Sequence, residues 1–276
     1  MIPAQRQRAI LQRVRERGTV SIPELVELLD VSHMTVRRDI AVLEETGRVV
    51  SVSGGVSQPA QLSADQEREV KAGMRPAEKS AIARAACALV EPGSLVYLDA
   101  GTTTLAIAHE LAERPDVSVI TNDLVIATFL SQNSECGLSF VGGSIDRRNL
   151  SSDGAMAAGA IGAYNIDIAF VSTSSFDLRA ISVPNDAKQS VKDAIMRHSA
   201  KAVLATDSSK YGKKAQLRAV ELARFDTVIT DPGLPQSVID GIREQDVTLI
   251  LAAPDTAEPP GAAPGADSGA GQPETG

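Results

Sequence analysis

The sequence is poor in aromatic residues: its 276 residues include five Phe, three Tyr and no Trp. A core must therefore be built from Val, Ile, Leu and Ala, which suits a parallel sheet that is covered by helices on both faces. The apolar fraction of 43% and the charged fraction of 22% are those of an ordinary folded protein. At roughly 100–200 residues per domain, this length predicts two domains.

Cysteine, histidine and long apolar runs are also scarce. Cys87 and Cys136 lie far apart, and the three histidines are scattered, which argues against a disulfide framework or a zinc site. We therefore expect reduced thiols, no metal and no cofactor. No stretch reaches 18 apolar residues, and the Arg-rich N-terminus has no apolar signal core. These absences predict a cytoplasmic protein without membrane contact.

The net charge of −8 is unevenly distributed. Residues 1–60 carry eight Arg and seven acidic residues, so the excess of acid lies in the remainder of the chain. Within the first twenty residues, five arginines are accompanied by Glu16 as the only acidic residue. A near-neutral head with local arginine clusters can contact phosphates while an acidic body stays away from the duplex. Charge alone permits DNA binding but does not establish it.

Residues 2–56 predict three helices followed by a β-hairpin. Ser21 and Ser32 occupy N-cap positions before the second and third helices, and Gly54-Gly55 between short Val-rich runs predicts a turn. In the third helix one face is apolar and packs inward, whereas the first turns carry hydroxyl and guanidinium groups outward, as DNA-reading helices do. A merely solvated polar face would give the same periodicity, and the three helices followed by a hairpin favour DNA binding over that alternative. The outward candidates are Ser32, Thr35, Arg37 and Arg38.

Beyond residue 77, short β-rich runs alternate with helical stretches, which predicts a mostly parallel, doubly wound sheet. We thus expect an α/β protein with a winged helix-turn-helix domain at 1–57, a linker at 58–76 and an α/β domain at 77–252. The tail at 253–276 contains no Val, Ile, Leu or Phe and is predicted to be disordered. The predicted strands are Leu95–Leu98, Val117–Thr121, Leu138–Val141, Ile166–Ser172, Ala202–Thr206, Val228–Thr230 and Val247–Leu251.

Polar loops follow several of these strands, and one of them is a Gly-Thr loop at the start of a helix. Backbone amides, hydroxyls and the helix dipole favour an anion there. Such a loop alone is as often a simple turn, but the carboxyl ends of parallel strands share one edge, so the loops can form one crevice. The candidate ligand residues are Asp99, Gly101, Thr102, Thr103, Thr104, Thr121, Asn122, Gly142, Gly143, Asp207, Ser209 and Lys210.

The segment from Val31 to Ile40, followed by Leu43-Glu44 and Gly47, resembles the helix-turn-helix signature of the DeoR family of sugar-metabolism regulators. The resemblance assigns the third helix to DNA reading and adds His33 to its candidates. The family wing usually reads Arg-x-His-Gly-Gly, whereas residues 51–55 read Ser-Val-Ser-Gly-Gly. Ser51 and Ser53 thus remove two wing contacts, and Arg48 is the candidate replacement.

The resemblance continues through the body to about residue 233, and it adds Gly154 and Lys192 to the candidate effector residues. It implies a fold similar to ribose-5-phosphate isomerase and a site for a phosphorylated sugar or related metabolite. Residues 172–182 depart from the family pattern, and Lys188 stands where relatives are often acidic. No particular sugar is therefore carried over from the family.

Together, the residues and the resemblance predict a homodimeric or homotetrameric repressor of carbohydrate-metabolism genes. It would bind double-stranded operator DNA under the control of a small phosphorylated sugar. One alternative is an isomerase-like enzyme with an accessory head, but that chemistry needs a carboxylate base, and Asp177 is the only acidic residue of 172–177. Another is a body that only dimerises, which would not need polar loops at the strand ends.

Overall fold

The computed structural model describes residues 1–62 and 67–255. Its helices are α1 (Pro3–Arg17), α2 (Ile22–Leu29), α3 (His33–Glu45), α4 (Arg68–Ala72), α5 (Pro76–Cys87), α6 (Thr102–Leu111), α7 (Leu124–Asn133), α8 (Gly154–Ile161), α9 (Asp186–His198) and α10 (Gln236–Arg243). Its strands are β1 (Thr19–Ser21), β2 (Val50–Val52), β3 (Gly55–Ser57), β4 (Ala60–Gln61), β5 (Leu95–Leu98), β6 (Ser118–Thr121), β7 (Gly137–Phe140), β8 (Ser144–Asp146), β9 (Ser151–Asp153), β10 (Ile166–Val171), β11 (Ala180–Val183), β12 (Ser199–Ala205), β13 (Lys213–Lys214), β14 (Leu217–Glu221), β15 (Thr227–Thr230) and β16 (Thr248–Leu251).

The head packs α1, α2 and α3 around a small apolar core. Ile10 and Val14 of α1, Leu25 of α2, and Val36 and Ile40 of α3 are all buried, because apolar residues three and four positions apart share one face of a helix. The inward face predicted for the third helix is confirmed. The outward face carries Arg37 and Arg38 together with the exposed apolar side chains of Met34 and Val42.

Local capping and a small sheet complete the head. Ser21 Oγ accepts a hydrogen bond from the Glu24 amide, and Ser32 Oγ accepts one from the Thr35 amide, so both predicted N-caps form. The predicted hairpin is present as β2 and β3, with Gly54 in the left-handed conformation (φ 75°) at its turn. Strand β1, which the sequence pattern did not predict, pairs with β3 to give the order β1-β3-β2.

The body contains a seven-stranded sheet in the order β16-β15-β12-β10-β5-β6-β7, and every pairing is parallel. All seven strand regions predicted from the sequence lie in it. The chain builds outward from β5 through β6 to β7 and then from β10 in the opposite direction, so a topological switch point lies between β5 and β10. The predicted α/β class with a doubly wound sheet is confirmed.

Segment 58–76, predicted to be a linker, is in part anchored on the body. Strand β4 pairs with β13, and Arg68 of α4 is buried with its Nη1 2.5 Å from Asp123 Oδ2. A buried arginine needs a carboxylate partner, and here that partner is Asp123 of the body. The polar composition of segment 58–76 does not reveal this anchoring. The domain boundaries stay predictions. Of the tail predicted to be disordered, residues 256–276 lie outside the described part of the chain.

The head meets the body at the C-terminal end of α3. Tyr211 Oη donates a hydrogen bond to Glu44 Oε1 at 3.0 Å, and Arg179 Nη1 donates one to the Thr46 carbonyl at 3.0 Å. Lys214 Nζ donates to the Gly47 carbonyl. Within residues 1–62 and 67–255, no helix combines the length and apolarity that crossing a membrane requires.

Candidate DNA-contact and effector sites

Helix α3 presents most of the predicted DNA-contact residues to solvent. Ser32, His33, Arg37 and Arg38 are exposed, and Thr35 is half-buried. The Ser32 and Thr35 hydroxyls lie 3.0 Å apart, so they order the first turn as well as facing outward. The first turns of α3 thus offer two guanidinium groups and an imidazole, which suits contact with base edges and phosphates.

Helix α3 is held in place by an ion pair inside the head. Arg6 Nε lies 2.6 Å from Asp39 Oδ2, and Arg6 Nη2 donates to Asp39 Oδ1 at 3.3 Å. Both side chains are largely buried, with exposed fractions of 12% and 3%. Asp39 therefore has a structural role, because it fixes α3 against α1.

A cleft of about 1080 Å³ separates the head from the body. Arg37 and wing residues 51–55 line it on the head side, and Arg179 and residues 233–237 line it on the body side. The reading face of α3 and the wing therefore look partly toward the body. Arg48 is placed elsewhere, in a shallow depression lined also by Arg8, Leu11, Gln12 and Arg15 of α1.

At the switch point of the sheet, a buried ion pair joins the ends of β5 and β10. Asp99 Oδ2 accepts hydrogen bonds from the Ser172 amide at 2.8 Å and from Lys192 Nζ. Lys192 Nζ also donates to the Ser172 carbonyl at 2.8 Å. This arrangement places an ammonium group from α9 at the carboxyl edge of the sheet, where ligands of doubly wound folds bind.

The N-terminus of α6 lies beside this pair. The Gly101 amide donates to Asp123 Oδ2 at 3.0 Å, and the same oxygen lies 2.5 Å from Arg68 Nη1. Burial raises the pKa of the Asp123 carboxyl, and the Arg68 charge acts in the opposite direction. A Cβ atom at Gly101 would lie 2.5 Å from Ser172 Oγ, so only glycine fits here without a shift. The approach of α6 to β10 depends on that missing side chain.

These groups surround a cavity above the switch point. Five of the predicted effector residues line it: Gly101, Thr102, Thr103, Lys192 and Lys210. Residues that sequence analysis did not propose for the site also line it: Leu62, Lys71, Ala100, Asn149, Ser172, Thr173, Ser174, Ser182, Val183, Pro184, Lys188 and Ala215. The cavity therefore combines hydroxyl groups with four lysines.

Three other predicted effector residues make hydrogen bonds inside the protein. Thr104 Oγ1 donates to the Gly101 carbonyl at 3.0 Å, and Thr121 Oγ1 donates to the Leu98 carbonyl at 2.7 Å. Asn122 accepts from the Tyr97 hydroxyl and donates to a carbonyl of β9. They shape the loops around the cavity without lining it, and their contact with a ligand stays a prediction.

The remaining predicted effector residues also lie outside the cavity lining: Asp99, Gly142, Gly143, Gly154, Asp207 and Ser209. Asp207 is buried behind Lys210, with its Oδ2 3.9 Å from Lys210 Nζ, and it accepts hydrogen bonds from the Ser209 amide and hydroxyl. Gly154 has a φ of 84° where β9 turns into α8. The last two of these residues are Gly142 and Gly143, which follow β7.

Two of the unpredicted lysines are held beside the β8–β9 hairpin. Lys188 Nζ lies 2.9 Å from Asp146 Oδ2, and Lys71 Nζ donates to Asn149 Oδ1 at 2.6 Å. Burial alone would raise the pKa of Asp146, but hydrogen bonds from Asn149 and Lys188 lower it to about 2. Sequence comparison with the family pattern singled out Lys188, because relatives are often acidic at that position. Lys71 lies in a polar segment that gave no indication of a place in the cavity.

Lys79 is a buried ammonium group beneath this site. Its Nζ donates to the Lys71 carbonyl at the end of α4. Burial lowers the pKa of Lys79 to about 8, and the Asp207 carboxylate opposes that shift. Lys79 therefore connects α5 to α4, the helix that carries Lys71.

Asp177, the carboxylate on which the enzymatic alternative depends, does not line the cavity. Its Oδ1 accepts hydrogen bonds from the Arg179 and Ala180 amides, and its Oδ2 lies 3.5 Å from Lys214 Nζ. It belongs to the joint between the head and the body. The altered segment 172–182 thus contributes to two parts of the molecule. Its first residues line the cavity, and Asp177 and Arg179 lie at the joint between the head and the body.

Two family models match the chain. One is described as the DeoR-like helix-turn-helix domain and matches residues 6–61. The other is described as the DeoR C terminal sensor domain and matches residues 74–232. The two matches cover the head and most of the body.

Whole-chain similarities agree with these matches. An uncharacterized HTH-type transcriptional regulator from Haemophilus influenzae is 47% identical over 251 residues, which are 91% of this chain and 98% of that protein. The glycerol-3-phosphate regulon repressor of Escherichia coli is 29% identical over 91% of this chain and 100% of its own length. Among solved structures, a ribose 5-phosphate isomerase A from Methanocaldococcus jannaschii matches with 19% identity and a TM-score of 0.35, over 48% of this chain and 53% of that one.

Proposed function

Because the chain belongs to the DeoR family of DNA-binding transcriptional regulators, we propose that it represses carbohydrate-metabolism genes under the control of a phosphorylated sugar or related metabolite. The resemblance seen in the sequence is thereby confirmed at the level of the family. Members of this family are regulators and not enzymes, and the position of Asp177 agrees with that. Repression is suggested by the name of the glycerol-3-phosphate regulon repressor.

The observation that carries the proposal is the convergence of anion-binding groups on one cavity. The N-terminus of α6 presents Thr102 and Thr103 to it, and four lysines line its walls. Helix N-termini and ammonium groups bind phosphates, whereas the hydroxyls of the lining suit the hydroxyls of a sugar. A domain that only dimerised would not need this lining.

Ligand binding is coupled to the head through residues 210–215 in this proposal. Lys210 and Ala215 at the two ends of this loop line the cavity, and the Ala215 amide donates to Ser182 Oγ at 2.9 Å. Between them, Tyr211 and Lys214 contact the end of α3. A ligand that displaces the ends of the loop would therefore move α3 relative to the body. Coupling of about 1–3 kcal/mol would change operator affinity roughly 5- to 150-fold.

DNA recognition is assigned to the first turns of α3 in a symmetric oligomer, either a dimer or a tetramer, that binds repeated half-sites. Ser32, His33, Thr35, Arg37 and Arg38 are the proposed contacts. Arg48 lies apart from the wing turn, so its proposed contact is with the phosphate backbone. In the present arrangement Arg37 faces the body across the cleft. A change in head position would thus change access to DNA.

Fluorescence anisotropy tests the proposal. The full chain is titrated onto DNA from upstream of its own gene at one salt concentration, with and without a panel of phosphorylated and free sugars. We expect sequence-specific binding that one phosphorylated compound alters. Arg38→Ala should weaken it at least about fivefold, since an arginine contact to a base contributes about 1–3 kcal/mol. The matched control is Arg197→Ala on the exposed side of α9. Specific binding that no panel member alters would contradict the sensing part of the proposal.

A further inference from the structure

The cavity has a one-sided charge pattern. Four of its lining residues are lysines, Lys71, Lys188, Lys192 and Lys210, and none of the lining residues among those described is acidic. The carboxylates that balance them lie behind the wall: Asp146 at Lys188, Asp99 at Lys192 and Asp207 at Lys210. A ligand in the cavity therefore meets ammonium groups and hydroxyls, and it meets no carboxylate.

The ammonium groups are also spread along the edge of the sheet. Lys210 follows β12, and Lys192 is anchored between the ends of β10 and β5. Lys71 is anchored at Asn149 and Lys188 at Asp146, in the hairpin segment 146–152, whose residues 150 and 152 bond to the chain that follows β6. The strands β12, β10, β5 and β6 are consecutive neighbours, so this edge spans roughly 14 Å at about 4.8 Å per strand.

A single phosphate cannot satisfy groups that are spread this far. Hydrogen bonds to its oxygens require nitrogen atoms at about 3 Å, so one phosphate serves only one end of the edge. The end with the most donors combines the N-terminus of α6 with Lys71 and Lys188, which suits a dianion. Lys210 lies at the other end, where its side chain is only 9% exposed and its Nζ is 3.9 Å from a carboxylate that also binds Ser209. A buried ammonium at that distance calls for a closer anionic partner.

We propose that the effector is a phosphorylated sugar acid, with its phosphate at the N-terminus of α6 beside Lys71 and Lys188 and its carboxylate at Lys210. The inference rests on the proposed function, since it assumes that the cavity binds a phosphorylated metabolite. A carboxylate fits the second end better than a second phosphate, because Lys210 is the only lysine among the described lining residues at that end.

Calorimetry on the full chain compares ligands of equal length. For four, five and six carbons, each aldose phosphate is paired with its phosphorylated aldonic acid, for example D-ribose 5-phosphate with 5-phospho-D-ribonate. D-Ribonate and D-ribulose 1,5-bisphosphate complete the five-carbon set. We expect the phosphorylated acid to bind at least tenfold more tightly than the matching aldose phosphate at one chain length, as one added charged hydrogen bond would give.

A variant locates the second anion. Lys210→Met keeps the length of the side chain and removes its charge, so it should weaken binding of the phosphorylated acid at least tenfold and change aldose phosphate binding less than threefold. Lys201→Met, on an exposed part of β12, is the matched control and should change neither. Thermal melts report whether each variant folds. If Lys210→Met does not fold, the comparison of ligands on the wild-type protein still tests the inference.

The outcomes separate the inference from the proposed function. If aldose phosphates bind as tightly as the acids at every length, or the bisphosphate binds more tightly than the acid, the inference is wrong and phosphosugar sensing stands. If no phosphorylated compound binds at millimolar concentration, both are wrong. If Lys210→Met still prefers the phosphorylated acid, Lys210 does not bind the carboxylate, and the inference is wrong.

Discussion

Two buried carboxylates on α3 serve different partners. Asp39 pairs with Arg6 inside the head, whereas Glu44 Oε1 accepts hydrogen bonds from the Ser51 amide of the wing and from Tyr211 of the body. A buried carboxylate is stable only when its oxygens are paired, so each of these residues fixes a neighbour as well as itself. Asp39 sets the position of α3 within the head, and Glu44 connects α3 to the wing and the body.

At the residue scale, Arg6→Ala tests the role of the pair with Asp39. Removing the guanidinium leaves a carboxylate that is 3% exposed without its partner, and breaking such a buried pair costs about 3–5 kcal/mol. We expect a loss of at least about 3 kcal/mol in the free energy of unfolding, measured by urea titration of the helical circular dichroism signal. Arg8→Ala, on the exposed side of α1, should change it by less than about 0.5 kcal/mol. Equal stabilities of the two variants would contradict a structural role for the pair.

At the scale of elements, the sequence predicted the body well because buried parallel strands are short apolar runs. All seven such runs became strands of one sheet. Helix α4 escaped prediction because it has five residues and no apolar periodicity. Its place depends on Arg68 meeting Asp123, a pairing across 55 positions that no local pattern contains. Lys71 lines the cavity because the ion pair of Arg68 with Asp123 anchors α4 on the body.

The close approach of α6 to β10 gives the prediction for this scale. Gly101→Ala would place a methyl group 2.5 Å from Ser172 Oγ and 2.8 Å from its Cβ, so the ends of β5 and β10 must separate. We expect at least a tenfold loss of affinity for the phosphorylated ligand that binds most tightly to the wild type, measured by calorimetry. Gly159→Ala on α8 is the matched control, because nothing lies within 4 Å of its added carbon and Gly159 is not a candidate site residue.

The steric explanation has its own check. Gly101→Ala should also lower the melting temperature. Adding Ser172→Gly removes the two atoms closest to the methyl group, so most of that loss should be recovered. If Gly101→Ala binds ligand like the wild type, the N-terminus of α6 does not contribute to the site. If the double variant is no more stable than the single one, crowding against Ser172 is not the cause.

At the scale of the whole molecule, the decisive contacts join distant parts of the sequence. Tyr211 and Glu44 are 167 positions apart, as are Lys214 and Gly47. Sequence motifs indicated the two candidate sites, because each is built from local loops and helix turns. They could not locate the joint, since a hydrogen bond between a tyrosine of the body and a carboxylate of the head follows from how the domains pack. The segment 172–182 looked unusual in the sequence, and its place beside this joint gives it a structural role.

The coupling loop gives the last prediction. Tyr211→Phe removes one hydrogen bond to Glu44 and keeps the ring that packs against Phe176 at 5.5 Å. A hydrogen bond to a charged group contributes about 1.5–3 kcal/mol, which is as large as the coupling itself. We therefore expect ligand to change operator affinity much less in this variant than in the wild type, while affinity for the ligand without DNA changes less than threefold. Anisotropy with and without ligand measures the first quantity, and calorimetry measures the second.

Reciprocity makes this prediction stringent. If ligand no longer alters operator affinity, operator DNA must no longer alter ligand affinity, so both titrations have to report the same loss. Tyr164→Phe, which changes a half-buried tyrosine away from the joint, should keep the full coupling. Wild-type coupling in Tyr211→Phe would place the connection elsewhere. The remaining route would then be α4, because Lys71 lines the cavity and its segment continues from the wing through β4.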